Sequence, residues 1–209
     1  MRKLLCALPL LFAVPLIAQS APQMPGTMDV ARVTAGTYNT DPSHTLIGWR
    51  VSHFGFNDYF GIFGDATGTL ILDPAKLNEA KVDITIPVRK VTTASVGLTG
   101  HLLRAGKDGA KADFFGPTPS DAKFVSTKVA ASGTTAKITG NLTLNGVTKP
   151  VVLDTTFSGA GNNMLNKKPT VGFHASATIK RSDFGVNYAI PFVSDEVKLD
   201  ISVAFEKAS

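Results

Sequence analysis

The chain has 209 residues, 44% of them hydrophobic and 18% charged, with one cysteine and a formal net charge of +5. That is enough chain for one domain with a substantial core. Lysines and arginines are dispersed, the densest pairs being Lys167-Lys168 and Lys180-Arg181, so the concentrated basic patch of a nucleic-acid binder is absent and no nucleic-acid partner is expected.

Met1-Arg2-Lys3 is basic, Leu4 to Ile17 is apolar apart from its prolines, and Ala18-Gln19-Ser20 places small residues where a signal peptidase cuts. Residues 1–20 therefore read as a secretory signal, too short and too broken by proline to span a bilayer. Arg2 and Lys3 account for two of the five net charges, leaving +3. Cys6 lies within the signal, too early for a lipoprotein anchor, so an exported chain would carry no cysteine and would rely on its core alone. The very short basic start suits a bacterial periplasmic protein. Residues 21–36 are small, polar and Pro-rich and read as a flexible lead-in; 37–209 forms the domain.

From Thr45 onward the chain is a succession of short runs with period-2 alternation, the pattern of strands buried on one side only. Thr45 to His53 puts Ile47, Trp49, Val51 and His53 on one face. Phe63 to Leu72 aligns Ala66, Gly68, Leu70 and Leu72, and Val82 to Ile86 aligns Val82, Ile84 and Ile86 before Pro87. Phe124 to Ala130 sets Phe124, Ser126 and Lys128 against Val125, Thr127 and Val129. A helix is predicted over Thr93 to Arg104, followed by a long loop carrying Asp113-Phe114-Phe115-Gly116-Pro117, a lid or plug for one barrel end. Ala136 to Leu144 ends at Asn145-Gly146, the pair that a type I′ hairpin turn demands. Val147 to Phe157, Val171 to Ile179 and Val197 to Phe205 follow, each with one apolar face. The count is eight strands, and the fold class is all-β: an eight-stranded antiparallel lipocalin-like barrel with a short helix and a long closing loop.

Strands of about nine or ten residues at roughly 3.3 Å each enclose a tall, narrow space. Small residues on the inner faces, Ala66, Gly68, Ala136, Gly140, Ala175 and Ala177, either leave volume for a linear apolar ligand or fit against large neighbours such as Trp49 and Phe173 in a packed core. Pattern alone leaves both open.

Several stretches then matter in order: Asp41-Pro42-Ser43-His44-Thr45; Val51-Ser52-His53-Phe54-Gly55-Phe56; Gly61-Ile62-Phe63; His101-Leu102 with Phe114-Phe115; Gly140 to Val151 around the Asn-Gly turn; Gly172-Phe173; and Arg181-Ser182-Asp183-Phe184-Gly185. Over roughly Tyr38 to Phe205 the chain resembles the YceI-like family, bacterial exported proteins described as polyisoprenoid-binding. The resemblance implies a lipocalin-like barrel that binds a long-chain lipid, such as a polyprenyl compound or an isoprenoid quinone, with no other cofactor and no enzymatic activity common to the family. Where family members commonly carry Arg-Asp-x-His-Leu, this chain reads Leu98-Thr99-Gly100-His101-Leu102, so the polar contacts of that Arg and Asp are expected to be missing.

The expected ligand-contacting residues fall into four groups. Trp49, Leu142, Leu144 and Phe173 stand on strand faces. His53, Phe54, Phe60 and Phe63, with Tyr59 and Phe56, crowd the turn after the first strand as wall, gate or permanent plug. His101, Phe114 and Phe115 belong to the helix and loop, and Phe184 to the Arg-Ser-Asp-Phe-Gly stretch. His53 and His101 suit a head-group donor or acceptor, whereas His44 and His174 read as structural. Arg181 with Asp183 reads as a loop-fixing ion pair. No nucleophile elbow, no phosphate loop and no metal-ligand spacing is found, so no catalytic residue and no metal are assigned. The leading expectation is a periplasmic carrier of a long apolar lipid in transient contact with a membrane, with room for a homodimer. The alternatives are an enzyme using His53 or His101 as proton donor or acceptor, and a ligand-free domain that binds another envelope protein.

Overall fold

The computed structural model describes residues 23–208; the expected signal, and Cys6 with it, lies outside the described residues. Eleven strands form: β1 (Gly36–Thr40), β2 (Leu46–His53), β3 (Asn57–Phe63), β4 (Thr67–Leu72), β5 (Lys81–Ile86), β6 (Val91–Thr93), β7 (Ala122–Ser132), β8 (Thr135–Leu144), β9 (Val147–Asn162), β10 (Pro169–Lys180) and β11 (Glu196–Lys207), with one helix, α1 (Val96–Leu103).

Six of these are halves of interrupted strands. β1 and β2 lie end to end along β11, Thr40 opposite Phe205 and Leu46 opposite Ser202. The break is local chemistry: Pro42 offers no ladder donor, and Asp41 accepts from Ser43 N at 3.1 Å and pairs with His44 Nδ1 at 2.7 Å. β4 and β3 repeat the break alongside β1 and β2, and β5 and β6 alongside β4 and β3. Counted this way, the wall is a closed antiparallel barrel of eight strands with one short helix.

Two expectations change in the first hairpin and before it. Asn57 to Phe63 is a strand rather than part of a turn, because Phe54 and Gly55 take left-handed conformations (φ 53° and 71°) and reverse the chain within three residues. β1 was not expected, since Gly-Thr-Tyr-Asn-Thr has no apolar alternation; only Tyr38 and Thr40 turn inward, Tyr38 fully buried with its hydroxyl donating to Thr34 O at 2.5 Å. β7 also departs from strict alternation. Its register passes from Ser126 opposite Gly140 to Lys128 opposite Thr139, leaving Thr127 as a bulge. Phe124 and Val129 therefore both face inward although an odd number of positions separates them, and Val125 is exposed.

Near the Asn145-Gly146 turn, whose two residues take the positive φ expected (52° and 77°), the barrel has two seams. β6 is not paired with β7, and α1 with the loop 104–121 fills that seam. β10 beyond Ser176 is not paired with β9. Phe184 closes that one, 1% exposed and packed with Phe124, Leu142 and Val151, its carbonyl accepting from Asn145 Nδ2 at 3.0 Å.

At the other end the lead-in is folded onto the barrel where it is described, not loose. Thr27 N donates to Ala160 O at 3.1 Å and receives Ala160 N on its own carbonyl at 2.8 Å. Arg32 Nη1 reaches back to Pro25 O at 2.9 Å, and Val30, Ala31 and Val33 face the barrel interior. Gly161 allows this, for a Cβ there would stand 1.9 Å from Pro25 O.

Close approach also explains glycines that pattern alone counted as space. A Cβ on Gly140 would stand 2.3 Å from the Phe124 ring, and one on Gly68 2.1 Å from Asp83 O. Gly61 lies opposite Trp49, where a Cβ would meet Trp49 Cζ2 at 2.5 Å and Thr92 O at 2.6 Å. Gly61→Ala should therefore displace the indole and cost about 1–3 kcal/mol. Because Trp49 is the only tryptophan, its emission reports the displacement directly beside a urea titration.

Candidate ligand cavity

Inside the barrel lie two chambers, of about 420 Å³ and about 510 Å³. The first reaches the lead-in and is walled by aliphatic and aromatic side chains, among them Leu70, Val82, Phe157, Phe173 and Phe205. The second reaches the 53–57 turn and is walled by Trp49, Phe63, Phe114, Phe115 and Tyr188 among others. Ile47, Ile86, Leu142 and Leu199 line both, so the chambers meet at an aliphatic waist. Val197 at one end and Phe205 at the other lie eight positions apart on β11, roughly 26 Å of strand at ~3.3 Å per residue. Ala136 and Ala175 do leave space at the wall. Ala66 and Gly68 do not line it.

Three wall polar atoms, Thr45 Oγ1, Trp49 Nε1 and Thr155 Oγ1, have no hydrogen-bond partner among the described residues, and protein atoms cover each of them. The surface offered to a ligand is thus hydrocarbon almost throughout.

Of the twelve residues expected at the site, ten line the chambers: Trp49, His53, Phe54, Phe63, His101, Phe114, Phe115, Leu142, Leu144 and Phe173. Two do not. Phe60 points outward on β3, 62% exposed, with the Arg50 guanidinium 5.3 Å from its ring centre. Its neighbours Tyr59 and Phe63 take the inward positions, as period 2 requires once 57–63 is a strand. Phe184 is core filling at the β9–β10 seam. Chamber residues not foreseen are those of the lead-in and of the loop 186–195, notably Tyr188, Ala189 and Val193. Neither segment has a period to read.

One charged cluster touches the aromatic chamber. Asp113 Oδ2 accepts from His101 Nε2 at 2.7 Å and from Arg104 Nη2 at 2.9 Å. The carboxylate and guanidinium expected to be missing from the His101 stretch are thus supplied from Asp113 and Arg104. Phe114 and Tyr188 flank the imidazole edge-on, at 5.2 and 5.4 Å. With the proton on Nε2 engaged by Asp113, a neutral His101 keeps Nδ1 as an acceptor.

The hydrogen bonds from His101 and then Arg104 hold the Asp113 carboxyl below its ordinary range. A depressed carboxyl contributes stability that is complete above its unfolded value, about 3.9, and is lost as pH falls through the lower folded value. Asp113→Asn should remove that part of the acid sensitivity, read as a flatter dependence of the urea midpoint on pH across an acid series.

Arg181 is 6% exposed and does not pair with Asp183. Its Nε, Nη1 and Nη2 donate to Ser194 O, Val186 O and Val193 O at 2.9, 2.9 and 2.8 Å. Burial lowers its proton affinity, and the nearby Asp195 opposes that. Asp195 is itself held by Ser182 N and Oγ at 2.8 and 2.7 Å. His44 and His174 are outside the cavity, His44 on Asp41 and His174 exposed on β10.

A YceI-like domain model matches residues 38–205. The chain belongs to the YceI-like family. A UPF0312 protein of Pseudomonas paraeruginosa is 39% identical over 173 residues, 81% of this chain and 86% of the relative. One from Pectobacterium carotovorum is 33% identical over 189 residues, 90% and 94% of the two chains. The Campylobacter jejuni YCEI protein, solved as a variant with a monobromobimane guest, is 30% identical with a TM-score of 0.63 over 76% of this chain and 90% of that one. A polyisoprenoid binding domain from Saccharophagus degradans shares the fold at 17% identity and a TM-score of 0.54, covering 82% and 98%. For this YceI-like chain, the match begins at Tyr38, the fully buried tyrosine of β1, and ends at Phe205, which faces Thr40 across the barrel closure. The lead-in that covers the far end lies before it.

Proposed function

We propose that this YceI-like protein is a non-enzymatic periplasmic carrier of a long-chain apolar lipid, a polyisoprenoid, an isoprenoid quinone or a fatty-acid derivative, which it exchanges by transient contact with a membrane. The observation that carries this reading is the pair of apolar chambers joined at the Ile47, Ile86, Leu142 and Leu199 waist. Such a shape suits a linear hydrocarbon better than a compact polar metabolite. Burying some twenty methylene-sized groups is worth on the order of 16 kcal/mol at ~0.8 each, much of it offset by ordering the chain. The polyisoprenoid binding domain of Saccharophagus degradans carries such a ligand class in its name, and the same class fits this tube. His101, held by Asp113, keeps an acceptor nitrogen to which a hydroxyl head group can donate.

Organic extraction of the purified native protein followed by mass spectrometry tests the reading. A long-chain lipid at near-stoichiometric yield is expected. Correctly folded protein that releases none above background removes the carrier assignment.

The His101–Asp113 pair favours one second reading, proton transfer to or from a bound lipid or quinone, because a carboxylate orients the imidazole beside the chamber. His101→Gln separates the two. An enzyme keeps its lipid and loses turnover, whereas a carrier shows weaker retention of head-group-bearing ligands and no turnover to lose.

A further inference from the structure

The segments that line the aromatic chamber at its 53–57 end also carry apolar side chains that point into solvent. Phe56 is 89% exposed, Val96 90% and Phe192 65%, with Phe54 and Tyr188 about half exposed. They come from three separate segments: the 54–56 turn, the start of α1 and the loop 186–195. Phe54 joins two of these segments, its N–H donating to Phe192 O at 2.7 Å and its ring stacked on that of Phe192 at 6.0 Å. Phe54 and Tyr188 also line the chamber, so these two side chains carry apolar surface from the outside into the tube. Scattered apolar residues are ordinary on a protein surface, but a contiguous set around an opening marks a contact. Of the five large aromatics exposed among the described residues, four stand here, whereas the exposed groups of the β9–β10 turn, Met164 and Leu165, are not aromatic. Aromatic side chains are the ones that settle at the bilayer–water boundary.

A second observation lies on the same two loops. Phe54 (φ 53°) and Ala189 (φ 60°) are side-chain-bearing residues held in the left-handed region, and both line the chamber. For a bulky residue this conformation is strained and gathers at switches and clamps.

We propose that this ring is a bilayer-docking face, and that the Phe54 and Ala189 loops form its gate. This rests on the carrier reading above. A long-chain lipid passes between a bilayer and the tube without crossing water only when the mouth is sealed against the bilayer, and rings sunk among the head groups make that seal. The charges beside these segments are engaged within the protein, Arg104 with Asp113, Arg50 with Asp58, and Asp195 with Ser182, so the contact is by apolar insertion. Embedding Phe56 and Phe192 withdraws Phe192 from its stack, which frees Phe54 to leave the left-handed conformation and clear the opening.

The test is flotation of the purified protein with unilamellar vesicles of phosphatidylethanolamine and phosphatidylglycerol, together with binding of an apolar dye, N-phenylnaphthylamine, in the absence of vesicles. The native protein should float with the vesicles at low and at raised salt. Phe56→Ser combined with Val96→Ser, both outside the chamber lining, should weaken flotation by about tenfold or more, with dye binding and thermal unfolding unchanged. Phe54→Gly, which suits a positive φ, should speed lipid transfer from vesicle to protein several-fold; an unaltered rate removes Phe54 from the gate. A double variant that floats like the native protein overturns the docking face, as does flotation that vanishes in salt. Native protein that takes up dye but does not float overturns docking and leaves the carrier reading standing. If neither dye nor lipid enters, the carrier reading falls and the docking face with it. Self-association of the native protein that the double variant lacks reassigns the ring to a homodimer contact.

Discussion

Ala175→Phe should empty this protein of lipid while leaving it folded. Ala175 faces inward on β10, opposite Thr155 of β9 and Ile201 of β11, and Ile201 is opposite Ile47 of the waist. A phenyl group at that level projects into the channel where the two chambers join. Overpacking normally strains a core by about 1–3 kcal/mol, but here a chamber of about 420 Å³ adjoins the residue, so the ring has room that a solid core would deny it. The ligand has no such freedom. Displacing even two methylene-sized groups costs about 1.6 kcal/mol, more than tenfold in affinity, and a chain that cannot pass the waist loses one whole chamber. Lipid recovered by extraction should fall at least tenfold, with the urea midpoint unchanged or raised. Ser176→Tyr, one position on and facing outward, should retain its lipid. Equal lipid in native protein and Ala175→Phe would show that the ligand sits elsewhere.

Arg181→Met should be the most destabilising single change at the site. The side chain keeps its length and loses a planar fork that serves three carbonyls on the loop 186–195. Each carbonyl left without its donor costs on the order of 1–3 kcal/mol, so the sum is roughly 3 kcal/mol or more, a large share of the 5–15 kcal/mol typical of a domain. Arg181→Lys should recover little, since a single ammonium cannot present donors in three fixed directions. Denaturant titration reads the loss. Tyr188, Ala189 and Val193 belong to the same loop and to the chamber wall, so ligand affinity should fall with stability. If both variants unfold at the native midpoint, something other than Arg181 holds that loop.

How much of this could be read from the chain depends on how many faces of each segment are buried. β2, β8, β10 and β11 separate core from solvent cleanly, and their inner residues, from Ile47 to His53 and from Val197 to Phe205, are the cavity walls. The YceI-like motifs agreed, and the fold class followed. Legibility failed where the period was absent or shifted. Thr127 inserts one residue and exchanges the faces of the rest of β7. β1 carries a single large inward side chain, Tyr38. Glycines were ambiguous because a missing side chain means a void at one place and a close neighbour at another: Gly140 accommodates the Phe124 ring, whereas Ala136 four positions earlier borders open space. The site's polar pairings were hidden for another reason. Asp113 lies twelve positions after His101 in a loop without pattern, and only the fold brings them together. Sequence proximity points Arg181 to Asp183, two positions on, whereas its acceptors are the carbonyls of Ser194, Val186 and Val193.

The Thr27–Ala160 pairing has a consequence beyond closing one end. β8 pairs with β9 only as far as Thr156, and Phe157 N still reaches Thr134 O at 2.8 Å, so from Ser158 onward that strand has a naked edge, the kind of template on which copies of a chain polymerise. The first described residues act as a selvedge, satisfying both backbone groups of Ala160 and shielding greasy lining in the same stroke. A protein trimmed to begin after Arg32 would bare both together, and its characteristic failure would be stacking into aggregates while the rest of its sheet remained intact.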